Sequence, residues 1–370
     1  MVIGIDASSA NRAKRTGVQW YAYNLLEEFK KLATTDDRVV LYLDAPLLDD
    51  MKSLPNNWEA RVLKWSLPGW NTFRLSWEMW RRPPDVLFVP ANKIPLIHPK
   101  KTVTTIHDIG PDRVPNVYEP KVRQQVKAAT KAAVKGASKI FTVSQFTKSE
   151  LVSVYMVLKE KMIVTPLAAD TTRYQKLEAS KINPVLAKYR LGRSYFLHVG
   201  RLENKKNLGT IIRAFETFKS TRGLGDPFEL VLVGSPGFGY STIKQYINGS
   251  SAKDSIRELG YVDEADVPAI MNQATAYLFP SWYEGFGIPA LETMACGTVL
   301  IASDIGALRE VAADAAIFVS PSEPEAWARA LDRIASEPTV REEFEQKGLE
   351  RVKEFSWKKT AELTWQEIYL

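Results

Sequence analysis

Short apolar runs alternate with longer amphipathic ones along nearly the whole chain, and this alternation restricts the fold more than any other feature. In the first half, Val2–Ile5, Val39–Leu43, Val86–Val89, Val103–Ile106, Ile140–Val143 and Met162–Val164 read as strands. Val18–Leu32, Lys121–Lys135 and Gln145–Leu158 read as helices. The second half repeats the scheme. Its strands are Tyr195–Val199, Glu229–Val233, Ile256–Leu259, Ala276–Phe279, Val299–Ile301 and Ala316–Val319, and its helices Leu208–Lys219, Ala265–Gln273, Glu323–Ser336 and Val340–Glu354. Strands separated by helices pair in parallel through crossovers, so each half is expected to be an α/β, Rossmann-like, doubly wound sheet. At 370 residues the chain exceeds one ordinary core. The expected domains are 1–180 and 181–354, followed by a closing helical segment at 355–370. The polar stretch Thr171–Arg193, with Pro184 inside it, is the expected linker.

Composition is that of a soluble globular protein, 45% hydrophobic and 25% charged. The single cysteine, Cys296, excludes an internal disulfide, fits a reducing compartment and reads as a small core residue. No apolar run reaches about 18 residues, and the opening Met-Val-Ile-Gly-Ile-Asp reads as a strand, so a cytoplasmic location is expected. A net charge of +6 favours anionic partners, whether nucleotide, membrane surface or nucleic acid. Nucleic acid is disfavoured because the cations lie at strand–helix turns, and no RNA-binding motif is present.

The most informative stretch is Pro280-Ser-Trp-Tyr-Glu-Gly-Phe-Gly-Ile-Pro-Ala-Leu-Glu-Thr-Met-Ala-Cys-Gly297. It follows one apolar run and leads into another. Gly285 and Gly287 allow close backbone approach to a ligand, and a helix opening near Pro289 adds partial positive charge, which together suit a phosphate. Glu284 and Glu292, with seven residues between them, accept hydrogen bonds from hydroxyls. A ligand carrying both phosphate and sugar fits this combination. The plainer reading is a strand–loop–helix unit in which Glu292, in the first helical turn, only complements the helix dipole.

A second cluster is His198-Val-Gly-Arg-Leu-Glu-Asn-Lys-Lys-Asn-Leu208, a strand end, a basic turn and a helix that Asn207 is suited to cap. Arg201 can fork onto phosphate oxygens, and Lys206 acts as a point charge. Two such cations would stabilise a departing diphosphate. The alternative is a basic turn with no ligand.

Other segments carry weaker signals. Asn11-Arg-Ala-Lys-Arg-Thr-Gly17 follows the first strand, where it either faces an anionic ligand or is a solvated loop. His107, beside Asp108 at a strand end, suits a sugar-orienting or proton-accepting role, although such a pair is commonly structural. Ser144 is placed to cap the helix after it, with Thr147 at the third helical position. Gly234-Ser-Pro-Gly-Phe-Gly239 lacks the dinucleotide-binding spacing and reads as a loop. Residues 58–82 hold Trp58, Trp65, Trp70, Trp77 and Trp80. Trp70, Phe73, Trp77 and Trp80 share one helical face, with Arg74, Arg81 and Arg82 beside or after it. The stripe is expected to be buried in the core. Peripheral contact with an anionic membrane is the alternative.

The Glu-Gly-Phe-Gly-Ile-Pro-Ala-Leu-Glu run, with Met-Ala-Cys-Gly after it and Gly-Arg-x-x-x-x-Lys-Asn upstream, resembles the signatures of retaining glycosyltransferase family 4, with the GT-B fold. The resemblance extends from Gly17, where many members have two glycines, to the final helix. It is nearest to bacterial mannosyltransferase-type members. It implies two Rossmann-like domains facing a cleft, the first for the acceptor and the second for the donor, with the last helix crossing back to the first domain. By this resemblance Arg201 and Lys206 hold a diphosphate, Glu284 the donor sugar and Glu292 the ribose hydroxyls, while His107 lies near the transferred sugar. Gly17, Tyr261, Val262, Gly285, Phe286, Gly287 and Ile288 border the nucleotide sugar. The implied reaction transfers a sugar, with mannose from GDP-mannose favoured and UDP-sugars open, to a glycan or lipid-linked acceptor. There is no Asp-x-Asp, no paired Cys or His at metal-ligand spacing and no Walker loop, so no metal or cofactor is expected. A nucleotide-sugar epimerase and a non-catalytic nucleotide-sugar-binding protein are the rival readings.

Overall fold

A computed structural model describes residues 1–34, 36–192 and 194–369. Arg193 and Leu370, which end the expected linker and the expected closing segment, lie outside the described residues. The chain opens with β1 (Val2–Asp6), α1 (Gly17–Leu32), β2 (Arg38–Leu43) and β3 (Trp58–Val62). A π-helical turn, Asn71–Leu75, runs into α2 (Ser76–Arg81), followed by β4 (Val86–Val89), β5 (Thr102–Ile106) and α3 (Gly110–Arg113). Next come α4 (Pro120–Gly136), β6 (Lys139–Thr142), α5 (Gln145–Tyr155), β7 (Met162–Val164) and α6 (Ala179–Lys188). The second series is β8 (Tyr195–Val199), α7 (Leu208–Arg222), β9 (Glu229–Val233), α8 (Tyr240–Gly249), β10 (Ile256–Gly260) and α9 (Val267–Gln273). It continues through β11 (Ala276–Phe279), α10 (Ile288–Ala295), β12 (Leu300–Ser303), α11 (Gly306–Ala312) and β13 (Ala316–Val319). The helices α12 (Pro324–Ser336), α13 (Pro338–Arg351) and α14 (Trp357–Tyr369) complete it.

The strands form two parallel sheets, ordered β3-β2-β1-β4-β5-β6-β7 and β10-β9-β8-β11-β12-β13. Helices cover parallel sheets on both faces, which is why β4, β5, β11 and β12 are buried along their whole length. Strand order reverses between β1 and β4 in one sheet and between β8 and β11 in the other. Ligands of such sheets bind at these reversals, beyond the strands' carboxyl ends.

The chain forms two compact units. The first comprises Met1–Asp112, Lys121–Leu167 and the residues from Ser356, and the second Arg113–Pro120 and Ala168–Phe355. The expected linker Thr171–Arg193 is not a plain linker, because α6 lies within it. Ile182 and Leu186, one turn apart, are buried as α6 packs on α9. That packing outweighs the backbone hydrogen bond lost at Pro184.

Within the first unit, α14 packs on α1. The rings of Phe29 and Trp365 are 4.8 Å apart, and those of Tyr21 and Trp357 6.2 Å. Thr360 donates to the Pro166 carbonyl, and Lys139 pairs with Glu367. The chain therefore returns to its first sheet, as the GT-B resemblance implied. Ser144 caps α5 by accepting the Thr147 N–H at 2.9 Å.

Residues 58–82 hold one strand that was not expected, and one expectation for them fails. Trp58–Val62 is the edge strand β3, which its charged residues concealed. The aromatic stripe is not core, for Phe73, Trp77 and Trp80 are exposed while Leu75, Ser76, Glu78 and Met79 are buried. Leu75 N–H donates to the Trp70 carbonyl, an i→i+5 bond that widens the turn and separates Trp70 from the stripe. Trp70 alone packs inward, its indole donating to the Leu63 carbonyl at 2.7 Å.

This packing sets two tryptophans apart. Trp365→Ala removes a buried ring and should cost about 3–5 kcal/mol of unfolding free energy. Trp77→Ala, on the exposed stripe, should stay within about 0.5 kcal/mol of wild type. Urea unfolding followed by circular dichroism measures both, and equal costs would contradict the described packing.

Candidate active site

In the second unit, the loops after β8 and β11 meet at the reversal of strand order. Gly200 N–H donates to the Val233 carbonyl at 2.9 Å and Gly234 N–H to the Gly260 carbonyl at 2.7 Å, which laces three strand ends together. A Cβ at Gly234 would meet the Gly200 carbonyl oxygen at 1.9 Å, so this close approach requires glycine. The loop after β8 then makes a tight turn at Asn204–Lys206.

Asn207 follows that turn in the left-handed region, with φ 53°. It was expected to cap α7, but it makes no side-chain cap bond. Its amide instead donates to the carbonyls of Pro280 (3.0 Å) and Pro321 (2.7 Å), while Thr210 donates to its Oδ1 at 2.9 Å. Trp282 N–H donates to the Lys205 carbonyl at 3.0 Å. The two loops are thereby locked to each other.

This lock places Glu284 against both lysines. Lys206 Nζ is 2.8 Å from Glu284 Oε1, and Lys205 Nζ is 3.6 Å from Oε2. Glu284 is only 8% exposed. Burial by itself raises a carboxyl pKa, yet Lys205 and Lys206 more than reverse it and hold Glu284 at about 2. The sequence assigned no role to Lys205, and only the folded geometry reveals its place on Glu284. Arg201, on the same loop, is exposed and forms no ion pair among the described residues.

Beyond Glu284, Gly287 takes φ +99°, and a Cβ there would lie 2.6 Å from Leu308. It precedes α10, whose first residues are Ile288 and Pro289. Phe286 is buried edge-on to Phe355 at 5.9 Å. In the first turn of α10, Pro289 has no N–H and Ala290 N–H donates to the Gly287 carbonyl at 2.9 Å, which leaves Ile288 N–H at the positive end of the helix dipole.

Glu292 is not in that first turn as expected but one turn on, where its carbonyl accepts the Cys296 N–H. Burial raises its carboxyl to about 7. Arg173 and a hydrogen bond from Tyr174 oppose the rise, while Asp170 and Glu264 add to it. Arg173 in turn pairs with Glu264 at 3.2 Å. Tyr261 and Val262 follow β10 at the far edge of the sheet. Val262 is buried and Tyr261 half exposed.

Gly17 and His107 belong to the first unit. Gly17 opens α1, and a Cβ there would meet nothing within 4 Å, so the fold itself does not demand glycine. The basic loop before it is largely anchoring. Arg12 forks onto Asp44 at 2.6 and 3.1 Å, and Arg15 pairs with Asp50 at 2.6 Å and lies 4.1 Å over the Tyr23 ring. His107 Nε2 is 3.1 Å from the Pro90 carbonyl oxygen. A carbonyl only accepts, so Nε2 carries the proton, and the neutral ring keeps Nδ1 as an acceptor. Burial depresses the His107 pKa, which favours this neutral form.

Among the described residues, no group of three or more His, Cys, Asp or Glu side chains is placed to hold a metal. The cationic loop and the α10 terminus can instead bind an anion, with Glu284 and Glu292 able to accept hydrogen bonds from hydroxyls.

The two glutamates should give stability opposite pH dependences. Glu284 titrates below its ordinary 4.5, so its contribution is present above that value and is lost as pH falls toward 2. Glu292 titrates above 4.5, so its contribution is present below that value and is lost as pH rises through about 7. Relative to wild type, Glu284→Gln should therefore be least stable above pH 4.5, and Glu292→Gln should gain on wild type between 4.5 and 7. Urea unfolding across this range tests both, and parallel pH profiles would contradict the assigned environments.

Comparisons with known proteins identify the family. Residues 187–351 match the family described as glycosyl transferases group 1, and residues 15–173 match Glycosyltransferase Family 4. The chain is 31% identical over 260 residues to O-antigen chain mannosyltransferase B of Escherichia coli, covering 70% of this chain and 67% of that one. It is 29% identical to O-antigen chain mannosyltransferase RfbU of Salmonella typhimurium, covering 68% and 65%. Its fold matches WaaG, a glycosyltransferase involved in lipopolysaccharide biosynthesis, with a TM-score of 0.76 over 100% of this chain and 99% of that one at 15% identity. Sucrose-phosphate synthase from Thermosynechococcus elongatus matches with a TM-score of 0.75 over 100% and 98%, at 19% identity. With its paired Rossmann-like sheets and both signature loops in place, the chain belongs to the family 4 glycosyltransferases of the GT-B fold.

Proposed function

We propose that this glycosyltransferase moves mannose from GDP-mannose to a glycan growing on a lipid carrier, at the cytoplasmic face of a membrane, with retention at the anomeric carbon and without a metal. The observation that carries this reading is the buried Glu284 held between Lys205 and Lys206, with the exposed Arg201 on the same loop as the lysines. An arriving diphosphate competes for Lys206, and together with Arg201 it finds cations that stabilise the leaving group. Release from Lys206 leaves Glu284 an ionised acceptor for hydroxyls of the donor sugar. Glu292 accepts the ribose hydroxyls, Gly285 to Ile288 offer backbone donors, and Tyr261 and Val262 border the base; Gly17 and His107 of the first unit keep the sugar-binding roles that the family resemblance implies. The mannosyl donor and the glycan acceptor are supported by the likeness to the two O-antigen chain mannosyltransferases.

The first test is a thermal melt with GDP, UDP, ADP and their common sugars, with and without EDTA. A ligand bound only by the folded state raises the midpoint. GDP and GDP-mannose should do so, EDTA should change nothing, and Glu292→Ala should abolish the shift. Arg201→Ala should lower the rate of transfer about 10²–10³-fold, the usual effect of losing one electrostatic stabiliser. A shift with UDP alone would replace the donor. Sugar interconversion without an acceptor would replace transfer by epimerisation, and nucleotide binding without turnover on any acceptor would make the chain a binding protein. Because burial raises the Glu292 carboxyl to about 7, donor affinity should weaken as pH falls below that value. Calorimetric titration at several pH values measures this, and a flat profile would remove Glu292 from the ribose site.

A further inference from the structure

The first unit exposes more apolar surface on one side than its fold requires. Phe73 and Trp77 are each 55% exposed, Trp80 64% and Leu96 69%, with Leu67 and Ile97 also exposed. These residues are brought together by structure. Trp77 and Trp80 touch, with ring centroids 5.2 Å apart. The loop that carries Leu96 and Ile97 is tied to α2 by the Ile97 N–H, which donates to Ser76 Oγ at 3.2 Å. Asn71, in the π-turn, donates to Asp6 at the end of β1 at 2.7 Å, so the presenting helix is fixed to the sheet. Contiguous apolar patches of this kind mark an interaction surface.

The charge around the patch identifies the partner. Arg81, Arg82 and Lys93 are exposed beside it. Glu78, the one carboxylate between Lys64 and Arg82, is buried and paired with Arg61 and Arg74. Asn92 joins the far end of the same loop to α4 through Thr130 at 2.8 Å. The seventeen residues of α4 include Lys121, Arg123, Lys127, Lys131 and Lys135 and no carboxylate. Tryptophan flanked by arginine suits the boundary between lipid headgroups and acyl chains, where the ring has both apolar and polar neighbours. A second copy of the chain fits poorly, since a two-fold contact would set these cations against their own copies.

We propose that the face formed by Phe73, Trp77, Trp80, Leu96 and Ile97, ringed by Arg81, Arg82 and Lys93, docks on an anionic lipid bilayer. This deepens the proposed function, on which it rests for a lipid-carried acceptor, and it identifies the part of the chain that meets the membrane.

Co-sedimentation of the full chain with vesicles of phosphatidylcholine, with and without phosphatidylglycerol, tests it. Binding is expected only with phosphatidylglycerol and should weaken with salt. The triple variant Phe73→Ser, Trp77→Ser, Trp80→Ser should lose it. Arg81→Glu with Arg82→Glu should weaken it by at least roughly fivefold for each charge removed. Circular dichroism and the nucleotide-induced melt should be unchanged in both variants, which separates docking from the donor site. Vesicle binding unaffected by either variant would overturn the proposal. Concentration-dependent dimerisation that the triple variant abolishes, without vesicle binding, would overturn it in favour of self-association. A failed nucleotide melt with vesicle binding intact would instead count against the proposed function alone.

Discussion

A buried carboxylate needs compensating charge, and Glu284 imposes that need on everything around it. Burial pushes its proton affinity up, and two lysines from a different loop push it back below the ordinary range. For those lysines to arrive, the loops after β8 and β11 must be held side by side. The adjacency of β8 and β11 does this coarsely, and the Asn207 amide does it finely by bonding to Pro280 and Pro321. Glycines at 200 and 234 let the neighbouring strand ends close up behind them. The site is thus an electrostatic arrangement on a parallel-sheet scaffold, with Glu284 and its two lysines paired before any ligand arrives.

That pairing has a chemical consequence. A lysine already committed to a carboxylate would be exchanged rather than freshly desolvated by the diphosphate of the proposed donor, so the pairing preorganises the loop for the proposed role. Glu292 contrasts with Glu284 in the same loop–helix unit. Among the described residues it has no lysine partner, Asp170 and Glu264 lie near it, and its carboxyl rises to about 7. Two glutamates separated by seven residues therefore sit at opposite ends of the carboxylate range because of what surrounds them.

Much of this was legible beforehand. Nearly every strand of both sheets was visible as an apolar run because parallel strands are buried on both faces. The edge strand β3 was not, since Trp58–Val62 carries charge and lies beside a tryptophan-rich segment. The helix α6 was hidden by polarity and Pro184, although Ile182 and Leu186 mark its one buried face. The glutamates, Arg201 and Lys206 stood out because their types and spacing match a phosphate-and-sugar chemistry. Lys205, Arg173 and Tyr174 did not, because their roles depend on neighbours distant in the chain. Asn207 holds the cap position as expected, but its amide is committed to the Pro280 and Pro321 carbonyls and its Oδ1 to the Thr210 hydroxyl, so it caps no helical N–H.

The sequence by itself determined the two-sheet architecture, the strand-end loops that carry the chemistry and the family to which they belong. All of these follow from local periodicity and from residue types at short spacing. Only the tertiary structure decided which partner each charge finds and which side of a helix meets solvent. Arg12 and Arg15 are basic in a loop either way, but the fold commits them to Asp44 and Asp50. The spacing of Phe73, Trp77 and Trp80 defines a face without saying what it faces, because helical periodicity records only that side chains share a side. A π-turn and a buried set of Leu75, Glu78 and Met79 turned that face outward.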